Sequence, residues 1–186
     1  MAVTATNLTM GPGELYRGDF GETEPTGAAA PAGDWVDVGG TTDGVTLAVN
    51  QEYTELEVDQ IVDIPGRRLT KREFTIATNI AEPTLENLAF VLNEAAEVTT
   101  ATGTKSWEPT NDSSATQPTY SALIFRGWAP GAAGKRRNVI GRKMLQTESV
   151  EFAYSKDGQT VYSCSFSGHY VSPSIRPFKV VDDTST

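Results

Sequence analysis

Alternation between apolar and polar residues runs along most of the chain, and it predicts strands rather than helices. Short strands are expected at Val3–Thr9 and Glu14–Arg17, broken by Gly11-Pro12-Gly13. WVDVGGTTDGVTLAV predicts two strands, Trp35–Val38 and Val45–Val49, divided by a turn holding Gly39-Gly40 and Asp43-Gly44. A strand over Thr54–Ile64 follows, closed by Pro65-Gly66, then a basic connector and a strand over 70–80, the two forming a long antiparallel hairpin. Strands are also expected near 119–129 and over Asn138–Gln146. In SVEFAYSKDGQTVYSCSFSGHYV, Val150, Phe152 and Tyr154 alternate, Asp157-Gly158 turns, and Tyr162, Cys164 and Phe166 alternate back.

One segment breaks this period. EPTLENLAFVLNEA predicts a helix over 83–95, with Pro83 in its first turn and Glu82 and Glu86 at the positive end of its dipole. Leu85, Leu88, Ala89 and Leu92 form the i, i+3, i+4, i+7 stripe expected to pack on a sheet. The rest is loop-rich. Residues 1–34 read as an extended N-terminal arm, in which 21–34 is a mobile arm or an ordered surface loop. Residues 99–118 and 130–137 read as long loops, and 180–186 as a loose tail. The expectation is one mainly antiparallel β domain over 1–186, with one flanking α-helix.

Charge adds an asymmetry. The formal net charge is −9. Residues 1–63 hold 12 acids and only Arg17, giving 1 − 12 = −11; residues 64–186 hold 12 acids and 14 Lys or Arg, giving +2. An acidic chain grips nucleic acid poorly, because cations neutralising phosphates supply most of that affinity. A chain divided into acidic and near-neutral parts is suited to self-association. Within 54–64, Glu55, Glu57 and Asp59 are expected on one strand face with no cation before Arg67. The basic residues Arg67, Arg68, Lys71 and Arg72, and Lys135, Arg136 and Arg137, lie at strand connections. Nucleic-acid contact, solvated loop ends and docking onto an acidic neighbour are the three readings, and docking is preferred.

Candidate chemistry is sparse. The lone histidine, His169, has no sequence-adjacent nucleophile, and Cys164 alternates with Tyr162 and Phe166 as a buried strand residue does. Asp34, Asp37 and Asp43 miss the spacing of a calcium loop. No phosphate-binding glycine loop occurs and no run of apolar residues is long enough to span a bilayer. Neither a catalytic residue, a metal nor a cofactor is expected. Nor is a signal peptide visible, and a single cysteine rules out an internal disulfide.

The order of these pieces is itself a signal. GELYRGDFGETEPT, DWVDVGGTTDGVTLAV, the acidic strand, the basic connector and REFTIATNIAEPTLENLAFVLN, spanning roughly 10–95, together resemble the major tail tube proteins of long-tailed bacteriophages, those of actinobacterial hosts above all. The resemblance implies a β-sandwich or barrel-like domain with a flanking helix, assembled as hexameric rings stacked into the virion tail. It implies a lumen through which DNA passes without specific binding. The implied partners are further copies of the chain, the tape-measure protein, the tail terminator and the distal tail or baseplate proteins, with no membrane and with assembly in the host cytoplasm. On that reading Glu55, Glu57 and Asp59 face the lumen, and the two basic clusters join subunits or rings. Two alternatives stay open: a carbohydrate- or receptor-binding β-sandwich using Trp35, Trp107 and Trp128, and the inner-tube protein of a contractile or secretion system.

Overall fold

The computed structural model describes residue 4 and residues 7–94, 98–110, 114–131, 134–151 and 153–183. Ten strands and one helix follow in the order β1 (Glu14–Asp19), β2 (Val36–Asp37), β3 (Thr41–Leu56), β4 (Gly66–Ile80), α1 (Leu85–Val91), β5 (Thr99–Ala101), β6 (Thr104–Ser106), β7 (Ser121–Trp128), β8 (Arg136–Gln146), β9 (Tyr162–Gly168) and β10 (Phe178–Asp182). The fold is mainly antiparallel β, sandwich-like, with a single helix among the described residues. One large sheet runs β2-β1-β7-β8-β9-β4-β3, and β5 and β6 form a separate small hairpin.

The sheet divides at β8. Its first half, Arg137–Gly141, pairs with β10, whereas Met144–Gln146 pairs with β9, which continues the sheet to β4 and β3. This fork lets the sheet turn over its own core, where Leu15, Phe74, Ile76, Ile80, Leu123, Val139, Met144 and Phe166 meet. The helix closes the core through Phe90, stacked on Phe166 at a centroid separation of 4.9 Å.

The helix is shorter than its apolar period suggests, and its buried face is rotated. Thr84 caps it by accepting from the Asn87 amide. It stops because Asn93 adopts φ 60 and pairs with β8: the Asn93 Nδ2 donates to the Gln146 carbonyl at 2.8 Å and the Gln146 amide donates to Asn93 Oδ1 at 2.8 Å. Ala89 is buried as expected, together with Asn87, Phe90 and Val91. Leu88 packs against the core half-buried, Leu85 is half-buried and Leu92 is exposed, so the four-residue stripe does not hold as a unit.

Asn87 pins the helix, its Nδ2 donating to the carbonyls of Val38 and Glu82 at 3.0 Å each. Asn87→Ala strands both acceptors, one of them in a buried setting. A loss of about 1–3 kcal/mol in unfolding free energy is expected from urea titration.

The second face of β7 and β8 is covered by the chain between β1 and β2. Trp35 packs on Ala122, Ile124 and Ile140, and its Nε1 donates to the Thr23 carbonyl at 2.8 Å. Asn138, fully buried, donates to the Ala29 carbonyl, and Arg142 clasps Glu24 while donating to the Arg176 carbonyl. Residues 21–34 are therefore an ordered surface loop, tied mostly through backbone carbonyls. The hydrogen bond from Arg142, with its positive charge, holds the Glu24 carboxyl below its ordinary value. A carboxyl so depressed stabilises the fold above its unfolded pKa, and that contribution fades as pH falls through the lower, folded value. Stability measured by denaturant titration is expected to drop as the solution is acidified below about pH 4.5, and Glu24→Gln is expected to flatten that dependence.

Several sequence expectations are corrected. Val45–Val49 and Thr54–Leu56 belong to one 16-residue strand. The Asp43-Gly44 pair is a bulge inside β3, not a turn: both residues have positive φ, and the register steps from Thr42↔Asn79 to Val45↔Thr78. The expected 150–166 hairpin does not form, because β9 pairs with β4 over most of its length and with β8 at its end. Tyr154 is exposed outside any strand, and Phe152 lies outside the described residues. The expected strand over Val3–Thr9 falls partly outside them as well, and Asn7–Thr9 is not a strand. The 99–118 loop contains β5 and β6, turning at Gly103. The loop expected over 130–137 ends earlier, since β8 starts at Arg136. The tail begins as β10, where Asp182 meets Arg137 at 2.6 Å; residues 184–186 lie outside the description.

Candidate functional site: a projecting ribbon and the pocket at its root

The strand β4 has a partner on each side only from Thr75 to Ile80. Below Thr75 it pairs, among the described residues, with β3 alone, from Val49↔Phe74 to Leu56↔Gly66. A two-stranded ribbon therefore leaves the body and ends in a loop over 57–65. Eight residues at about 3.3 Å each make it roughly 26 Å long before the loop.

Its register sorts the side chains. Leu47↔Ile76 and Val49↔Phe74 share the core-side face, which continues outward as Gln51↔Arg72, Tyr53↔Leu69 and Glu55↔Arg67. Asn50↔Glu73, Glu52↔Lys71 and Thr54↔Arg68 occupy the opposite face. A bulge at Thr70 interrupts the ladder, and its hydroxyl donates to the Glu52 carbonyl at 3.1 Å. The core-side apolar row thus runs out of the body into solvent, where Val49, Tyr53 and Leu69 are exposed. The loop adds Val58, Ile61, Val62 and Ile64, with Val62 at 105% relative exposure. An isolated two-stranded hairpin is marginal in water, and contiguous exposed apolar surface marks an interaction site.

The acidic trio does not form a repelling strand face. Glu55 lies on the ribbon and accepts from the Arg67 guanidinium at 2.7 Å, while Glu57 and Asp59 lie in the end loop. The strand stops at Leu56, and the sequence pattern missed the cross-strand cation because Arg67 belongs to the returning strand. The basic set is likewise divided. Arg67 and Lys71 are paired within the ribbon, Lys71 with Glu52 at 3.3 Å and Glu73 at 3.7 Å. Such exposed pairs help to set register but contribute little stability. Arg68 and Arg72 make no ion pair among the described residues.

The second cluster sits at the body's end, beside the ribbon root. Arg137 is held by Asp182, Arg136 lies 3.8 Å over the Trp128 ring, and neither Arg136 nor Lys135 makes an ion pair among the described residues. A cavity of about 250 Å³ opens here, lined by Met10, Leu47, Phe125, Trp128 and Val139 among others. Gly11 runs so close to the indole that a Cβ there would lie 2.8 Å from Trp128 Nε1. Nothing in the linear pattern places Met10, Leu47 and Trp128 together, because the three belong to different elements.

The residues weighed for catalysis are accounted for structurally. Burial pushes the Cys164 thiol up to about 12, and its Sγ lies 3.4 Å from the Thr78 carbonyl. His169 stands edge-on to Tyr120, with Nδ1 3.0 Å from the Ser167 carbonyl. Among the described residues no cluster of three His, Cys, Asp or Glu is placed to hold a metal, and no helix is long and apolar enough to cross a membrane. Trp35 is buried under the 21–34 loop and Trp128 lies under Arg136, so the three tryptophans share no sugar-binding platform. No protein-family model matches the chain, and no curated protein matches it significantly.

Proposed function

We propose that this protein is a structural subunit that assembles with copies of itself into a hollow tube, of the stacked hexameric kind found in the tails of long-tailed bacteriophages. The observation that supports the reading is the β3–β4 ribbon. It exposes large apolar side chains along the ribbon and its loop, beyond any third strand, which a lone subunit gains nothing by keeping in water. Outer edges on β2, β3 and β10, unpaired among the described residues, add backbone groups that a neighbouring copy can join.

The charge suits a conduit for a polyanion. Six copies carry 6 × (−9) = −54, taking −9 for each chain. An assembly of that net charge has little tendency to condense onto phosphates, and its repulsion extends about 8 Å at physiological salt. The tape-measure protein, the tail terminator and the distal tail proteins are the partners that the resemblance adds. The subunit has no catalytic role in this reading, and its place is the virion tail.

Electron microscopy of the purified chain at rising concentration tests the proposal. Rings or tubes are expected. A protein that stays at its 20.0 kDa monomer mass in sedimentation velocity, at all concentrations and with the other tail components added, overturns it.

A further inference from the structure

We propose that the ribbon's end loop, residues 57–64, docks in the pocket lined by Trp128, beside Arg136, at the ribbon root of a second copy. The inference rests on the self-assembly reading above and assigns the contact through which it proceeds.

The two surfaces complement each other. The loop EVDQIVDI carries three carboxylates, Glu57, Asp59 and Asp63, and no cation, and none of the three has an ion pair among the described residues. Its apolar residues point into solvent, Val62 most of all. The pocket inverts this pattern: it is lined by Leu47, Phe125 and Val139, a 37% exposed Trp128, a 96% exposed Met10 and Arg137, and beside it Arg136 lies over the Trp128 ring, with neither Arg136 nor Lys135 in an ion pair among the described residues. Acids near these cations are already engaged, Asp182 by Arg137 and Glu14 by Arg126, with Arg136 adding its charge near Glu14. A carboxylate arriving beside Arg136 meets a guanidinium already held over the Trp128 ring, so less rotamer freedom is lost on pairing.

The occupant must come from another copy. Leu47 lines the pocket, and the loop starts only after Leu56. Nine residues of continuously paired strand, roughly 30 Å, hold the two apart within one chain. Each copy offers one loop and one pocket at opposite ends of the ribbon. Loop and pocket are different surfaces, so a copy whose loop is docked can offer its own pocket to the next copy, head to tail. The opposite charges of the loop and of the cations beside the pocket favour this pairing in encounter as well as in register.

Charge reversal and cross-linking test the contact. D59K/D63K changes only exposed loop residues, so its thermal midpoint is expected to match that of the unmodified chain. The concentration at which tubes appear is expected to rise at least ten-fold. K135E/R136E is expected to do the same from the other side, and the chain carrying all four substitutions to regain assembly. Separately, Val62→Cys with Met10→Cys is expected to yield a ladder of intermolecular disulfides, because the native Cys164 is buried and adds no background. Should K135E/R136E fail to fold, the loop variant and the ladder still decide. If the unmodified chain assembles while D59K/D63K assembles equally well and no ladder forms, the docking site is wrong and self-assembly stands. If the unmodified chain never assembles, both fall.

Discussion

Replacing residues 51–72 with Asn-Gly, which joins the cross-strand partners Asn50 and Glu73, is expected to abolish self-association while leaving the body folded. The deletion removes Tyr53, Leu56, Val58, Ile61, Val62, Ile64 and Leu69, all exposed and none in the core clusters. If a neighbour buries five of them at about 1.5 kcal/mol each, the ribbon contributes roughly 7 kcal/mol to each contact. That is about five decades in association constant. Phe74, Ile76, Thr78 and Ile80, which tie β4 to the body, remain, and a type I′ Asn-Gly turn suits the twist of the shortened hairpin. Sedimentation velocity and microscopy should show a monomer, and the circular dichroism of the body should persist. Tubes formed by the shortened chain as readily as by the full one would show that the ribbon is not the joining element.

The largest effect on stability is expected at Phe166. It is fully buried, stacks on Phe90 and sits on β9, which joins β4 to the end of β8. Phe166→Ala opens a cavity under the helix, and a loss of about 3–5 kcal/mol follows for such a truncation. Set against a total of about 5–15 kcal/mol for a domain, this removes about a fifth of it or more. Phe166→Leu keeps most of the volume and is expected to cost under half as much. Denaturant titration of the two variants, followed by near-ultraviolet circular dichroism, checks the ordering. Equal losses would mean that the Phe90 contact does not organise the core.

How much of the fold was legible depended on whether the deciding contacts lay within one element. Strand character in β4 and β9 was visible because Phe74–Ile80 and Tyr162–Phe166 alternate between buried and less buried positions. The place of Cys164 was visible for the same reason, with Tyr162 and Phe166 on its buried face. The helix was recognisable in kind but not in extent. Its end depends on Asn93 pairing with Gln146, 53 residues away, which no local period reports. Likewise Asp43-Gly44 carries the residues of a tight turn, yet strand pairing on both sides absorbs the same positive φ values as a bulge.

The candidate site shows the same division. Clusters of acidic and basic residues around 52–72 were plain in the sequence, but which cation faces which anion was not. A hairpin register of Glu55↔Arg67 and Glu52↔Lys71 turned an apparent wall of like charge into local ion pairs. It left the loop acids, Glu57, Asp59 and Asp63, and the cations Arg68 and Arg72 without an ion pair among the described residues.

By itself, the sequence determined the antiparallel β character, a helix following the 66–80 strand, the acidic balance and the presence of a single histidine and a single cysteine, because each is a property of composition or of short-range period. Tertiary structure alone decided where β3 and β4 outrun their neighbours, that 21–34 is tied down by Arg142 and Asn138, and that Met10, Leu47 and Trp128 enclose one pocket. Those outcomes depend on pairing between distant segments, and whether a strand has a neighbour is a property of the whole sheet rather than of the strand.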